Sequence, residues 1–239
     1  MKVLTFGVTN WNDKSEAEIY ESTLHAWYKR TKAYVNSNEI FLSTGSYSNP
    51  KYNPLDIPLI QNGLFKTKKY GRGWNYFRNG FITGLWYSLF KTDWDIVLHN
   101  QCRMFLGEDM NHYLEEFYKR DELIMAPKFS NIACTVVEVG FIAMKREAVL
   151  KIVTQGERPS LWENDFEVPN VEDEMYHLFC DSWYDPFQLR TTRKRDWNYP
   201  NPSPYHLEMD EFLNLPLIST SHHATTEEIN AWCELHKLP

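Results

Sequence analysis

Gly73-Trp74-Asn75-Tyr76-Phe77-Arg78-Asn79-Gly80 opens a stretch that leads into Asp93-Trp94-Asp95-Ile96-Val97-Leu98-His99, and the whole reads as one helix feeding one buried strand. Trp74, Phe77, Phe81, Leu85 and Leu89 recur at helical spacing, which predicts a helix from Gly73 with one apolar face. Residues 96–99, opening on the apolar run Ile96-Val97-Leu98, predict a strand. Upstream, residues 2–8 and 39–43 read as strands. Between them Ile19, Tyr20, Leu24, Trp27 and Tyr28 mark a helix, with Ser15 and Glu18 as its capping box. Residues 47–70 carry Pro and Asn without a period and read mostly as loop.

Downstream the alternation continues. A helix is expected over 109–119, a strand over 123–126, and one strand over 136–144 running into a helix over 145–153. Asn170 caps a helix with Met175, Leu178 and Phe179 inward, 199–205 is a Pro-rich loop, and 216–220 is the last strand. Thr225 and Glu228 cap a final helix. Strands alternating with helices predict an α/β fold, a mostly parallel sheet covered on both faces. No internal repeat or linker divides the 239 residues, so one domain is expected.

Composition narrows the function. The formal net charge of −7 argues against a general nucleic-acid binder, and the basic run Arg190 to Arg195 is short and closed by Asp196. Cys102, Cys134, Cys180 and Cys233 are widely spaced and fit neither a zinc module nor a disulfide framework. No apolar run approaches the roughly 20 residues of a membrane span, and the first residues lack a signal peptide's apolar core, so a cytoplasmic, reducing compartment is expected. The 15% aromatic content suits either a Trp-rich core or a sugar-stacking site.

Ligands of such sheets sit beyond the carboxyl ends of strands where the strand order reverses. There the sequence resembles the GT-A nucleotide-sugar glycosyltransferases, the small soluble kind found in bacteria and large DNA viruses. Val8-Thr9-Asn10 resembles the end of the family's first strand. Ser43-Thr44-Gly45-Ser46 is similar to its Asp-Asp-Gly-Ser turn, with both carboxylates replaced. Arg78-Asn79-Gly80 resembles the Ala-Arg-Asn-x-Gly helix of inverting members, and Val139-Gly140-Phe141 through Arg146-Glu147-Ala148 resembles a floor segment shared by donor and acceptor.

The resemblance implies a nucleotide-binding half over about 1–105, an acceptor-binding half over about 106–239, and a nucleotide-diphosphate sugar donor such as a UDP-sugar. It assigns donor contacts to Thr9, Asn10, Thr44, Arg78, Asn79, Asn100, Gln101 and Arg103. The family's Asp-x-Asp, which holds Mn²⁺ or Mg²⁺, is replaced by His99-Asn100-Gln101-Cys102-Arg103, and the literal Asp93-Trp94-Asp95 precedes the strand. Metal dependence is therefore left open, with His222 and His223 the implied ligands of a divalent metal and Cys102 occupying the eroded slot.

Asp173, with Glu172 second, falls where the family keeps a general base for an acceptor hydroxyl of a glycan or glycoprotein; acids in a first helical turn also serve simply as dipole partners. Trp183 is the expected acceptor-stacking ring, against the default that it packs in the core. Competing readings are a retaining transferase, a catalytically silent nucleotide- or carbohydrate-binding domain, a sugar-nucleotidyltransferase, which lacks its basic Gly-rich loop here, and a Cys-His nucleophile enzyme.

Overall fold

The structure, a computed structural model, describes residues 1–9, 14–44, 53–61, 72–102, 104–130, 135–137, 140–155, 179, 182–186, 217–219 and 234. Strand β1 (Val3–Thr9) is buried throughout and is followed by α1 (Lys14–Tyr34), β2 (Ser37–Thr44), β3 (Leu59–Gln61) and α2 (Arg72–Phe90). Then come β4 (Ile96–Asn100), β5 (Met104–Leu106), α3 (Met110–Lys119), β6 (Ile124–Met125), β7 (Lys128–Ser130) and β8 (Thr135–Val137). The described elements close with β9 (Phe141–Lys145), α4 (Arg146–Gln155), β10 (Trp183–Tyr184) and β11 (Leu217–Ser219).

Seven strands form one sheet in the order β10-β6-β9-β4-β1-β2-β3. β1 runs parallel to both β2 and β4, β2 runs parallel to β3, and β9 alone is reversed against β4 and β6. The α/β expectation therefore holds, with a mixed, mostly parallel sheet. The chain leaves β1 toward β2 and β3, then returns to place β4 on the other side of β1. That reversal makes the carboxyl ends of β1 and β4 the crevice of the sheet.

Side-chain alternation along each strand feeds two cores. Leu4, Phe6, Val8 and Val97 pack with Phe81, Ile82 and Leu85 of α2 and with Ala148, Val149 and Ile152 of α4. Val3, Ile96 and Leu98 pack on the other face with Leu114 and Phe117 of α3. On that face Arg30 of α1, 4% exposed, donates from Nε to the Leu106 carbonyl at 2.9 Å. This bond ties α1 to β5.

Two glycines let α2 lie close on β1. A Cβ at Gly80 would stand 2.4 Å from Val8 Cγ1, and one at Gly84 would stand 2.4 Å from the Phe6 ring. Further along, Tyr87 donates to Glu39 at 2.7 Å and Lys91 pairs with the same carboxylate at 3.0 Å. The helix therefore runs back along the sheet, with its first turns at the carboxyl edge.

Some boundaries differ from the sequence reading. The single strand expected over 136–144 is two: β8 pairs with β7 in a separate sheet, and β9 belongs to the main one. Strands β3, β5 and β10 have only two or three residues, too few to carry a period. Helix α1 already includes Lys14, so Ser15 lies inside it rather than at the cap. The helix expected after Asn170 lies outside the described residues.

Candidate functional site

The crevice is lined by the last residues of β1, β2 and β4. Thr9 and Thr44 are register partners, and both are buried. Thr9 Oγ1 donates to the Ser43 carbonyl at 3.4 Å, and Ser43 Oγ donates to the Gly7 carbonyl at 3.5 Å. Ser43, one of the two hydroxyls that replace the family's carboxylates, thus faces the neighbouring backbone, which a neutral group can do without a counter-charge.

Beyond β4 the chain turns tightly. The Met104 N–H donates to Gln101 O at 2.7 Å, and the Gln101 N–H donates to Gly140 O at 2.7 Å, just ahead of β9. Gly140 therefore pins the turn to the segment entering β9. Cys102, 9% exposed, sends its Sγ toward the Val8 carbonyl at 3.9 Å. The same sulfur would lie 2.8 Å from a Cβ at Gly7, and the Trp27 ring 3.0 Å from it, so only glycine fits there. The thiol is committed to packing on β1, which removes it as a ligand. Sequence reasoning passes over Gly7, although a lone glycine inside an apolar strand is a signal of close approach.

Asn100 closes β4 with no exposed surface, and among the described residues neither its Oδ1 nor its Nδ2 has a hydrogen-bond partner. Leaving a buried polar group unsatisfied costs about 1–3 kcal/mol, so such an amide marks a place where a partner is missing. His99, one residue earlier, points to the opposite face. Its ring centroid lies 5.0 Å from Phe6 and 5.2 Å from Phe81. Burial pushes this imidazole down to about 3, and a backbone hydrogen bond at Phe6 offsets only part of that. His99 is a neutral core ring.

The literal Asp93-Trp94-Asp95 lies at the amino end of β4. Asp95 Oδ2 accepts the Lys2 N–H at 2.7 Å and lies 3.9 Å from the terminal ammonium, while Lys2 Nζ pairs with Asp93. These carboxylates hold the start of β1, roughly a strand length (about 16 Å) from the crevice. The described residues of the slot are a poor match for a divalent metal. Hard cations favour carboxylates, joined by amide or backbone oxygens, whereas these residues offer a neutral buried amide, the half-buried Gln101 and a thiol turned away. Among the described residues no group of three His, Cys, Asp or Glu could hold a metal ion.

Trp183 is 6% exposed at one edge of the sheet and meets Phe179 edge to face at 6.1 Å. It packs as a core ring here, the default set against the stacking role expected for it. Arg78 and Asn79 lie in the first turns of α2, just before Gly80. Asn10, Arg103, Glu172, Asp173, His222 and His223 lie outside the described residues.

Several solved structures share this fold. An active-site mutant of LgtC matches with a TM-score of 0.54 at 11% identity, over 98% of this chain and 96% of that one. The galactosyltransferase LgtC in complex with donor and acceptor sugar analogs matches at 0.50 and 10%, over 99% and 95%. The chain has the GT-A fold. A second GT-A likeness is a glycosyltransferase involved in glycosylation of the major capsid of PBCV-1, with TM-score 0.50, 9% identity and coverage of 97% and 98%. Against the Streptococcus pneumoniae glycosyltransferase GlyE the TM-score is 0.44 at 14% identity, and the match spans 77% of this chain and 44% of that protein's length. No protein-family model matches this chain, and no curated protein matches it in sequence. No helix among the described residues is long and apolar enough to cross a membrane.

Proposed function

We propose that the chain is a glycosyltransferase that binds a nucleotide-diphosphate sugar across the β1–β4 crevice and transfers the sugar to an acceptor hydroxyl of a glycan or glycoprotein. The observation that carries this reading is the buried Asn100 amide, both of its polar atoms unpartnered among the described residues, at the point where the strand order reverses. Thr9 and Thr44 border the same edge, and Arg78 and Asn79 stand in the turns of α2 that reach it. Capsid glycosylation by the viral protein of like fold favours a glycoprotein acceptor.

In an inverting transfer the acceptor oxygen attacks the anomeric carbon while the bond from that carbon to the diphosphate breaks. A carboxylate takes the hydroxyl proton, and the diphosphate leaves with the bonding electrons. Asp173 fills the base role in this reading, with Glu172 second. His222 and His223 approach the diphosphate. The antiparallel β5–β11 pairing supports this, because Ser219 stands opposite Met104, beside the turn after β4.

The neutral lining of the crevice favours one competitor, a silent nucleotide- or carbohydrate-binding domain. Incubation with a panel of UDP-, GDP-, TDP- and CMP-sugars separates the two. A transferase releases nucleotide slowly from one donor, and Asp173→Asn lowers that rate about 10²- to 10⁴-fold with donor affinity kept. Binding without any release identifies the silent domain.

A further inference from the structure

We infer that this site holds the nucleotide part of its donor through direct hydrogen bonds to Asn100, with no divalent cation between them. The inference rests on the donor-binding reading above and concerns how that same site meets its ligand.

Both ends of the Asn100 amide are buried and, among the described residues, unpartnered: an acceptor at Oδ1 and two donors at Nδ2. A cation would satisfy only the oxygen and leave the two N–H donors without a partner. A ligand that donates and accepts at neighbouring atoms, such as a ribose hydroxyl or the edge of a base, satisfies both ends. The rest of the slot agrees. Thr9, Ser43 and Thr44 are neutral, the hydroxyls of Thr9 and Ser43 are turned onto backbone, and Cys102 Sγ is turned onto Val8. Asp93 and Asp95, the nearest carboxylates in sequence, are engaged with Lys2 and the terminal ammonium at the other end of β4. Aspartate at position 100 would have the same shape as asparagine but would bury a charge there, and only then would a cation be needed to balance it.

The test is nucleotide binding by thermal shift and titration calorimetry on the full chain. UDP, GDP, TDP and CMP serve as probes, each in EDTA and in Mn²⁺. Asn100→Leu keeps the volume and removes the unmatched amide, so its unliganded melting temperature should equal or exceed that of the parent. Its affinity for the nucleotide that binds should fall tenfold or more. The parent should bind that nucleotide within twofold in EDTA and in Mn²⁺. Asn100→Asp should bind more weakly in EDTA and be rescued by Mn²⁺. Binding of the parent only with Mn²⁺ would overturn the inference and leave the transferase reading standing. Unchanged affinity in Asn100→Leu would overturn the role of Asn100 alone. Failure of every nucleotide, with and without metal, would sink the donor-binding reading itself.

Discussion

A Cβ on Gly80 would stand 2.4 Å from Val8 Cγ1, closer than any real contact allows. Helix α2 reaches the carboxyl edge of β1 only because that atom is missing. Alanine is favoured over glycine in a helix interior by about 0.8–1 kcal/mol, but overpacking a core costs about 1–3 kcal/mol, so Gly80→Ala should destabilise. Gly84→Ala should cost more, since three atoms of the Phe6 ring lie 2.4 to 2.8 Å from its new Cβ and that ring is stacked on Phe41. Urea denaturation of Gly80→Ala, Val8→Ala and the double variant checks this. The double variant should be more stable than the two single losses added together.

Gly7 makes a second case of the same kind with two neighbours instead of one. Gly7→Ala should destabilise by about 1–3 kcal/mol. Cys102→Ala should relieve part of that loss by removing the sulfur 2.8 Å away, but not all, because Trp27 still presses at 3.0 Å. Melting temperatures of the single and double variants decide it; full recovery in the double variant would remove Trp27 from the account.

His99 sets an acid limit. Its folded value of about 3 lies below the ordinary 6.5, so the unfolded chain binds a proton that the folded chain does not between those two values. Stability contributed by the neutral ring is complete above about pH 6.5 and falls as pH drops toward 3, by up to about 1.4 kcal/mol per unit. Phe6 and Phe81 pack against the ring, and neither titrates. His99→Phe should therefore flatten the fall in urea midpoint between about pH 6.5 and 4.5. An equal fall in both proteins would place the acid sensitivity elsewhere.

The sequence carried the sheet because β1, β2 and β4 are apolar runs, and α2 keeps its apolar spacing along its 19 residues. It also led to the slot after β4, since the run Ile96 to Leu98 marks where that strand ends. What it could not carry depends on distance in space. Gly140 divides an apolar stretch that reads as one strand, and only the pairing of β7 with β8 separates the halves. Asp93 and Asp95 spell a metal motif, yet their partners Lys2 and the terminus lie some ninety residues earlier. That Trp183 packs on Phe179 at the sheet edge depends on contacts in space, which its place in the sequence does not give. That Asn100 is buried without partners follows from packing, and no residue pattern announces it.

The most direct measurement is the side-chain NH₂ signal pair of Asn100 in a ¹⁵N-labelled chain, assigned by its absence in Asn100→Leu, during titration with the nucleotide that binds. This pair should shift and saturate with the binding curve, in EDTA as well as in Mn²⁺. A nucleotide that binds while the Asn100 pair stays in place would put the donor somewhere other than the β1–β4 crevice and contradict the account.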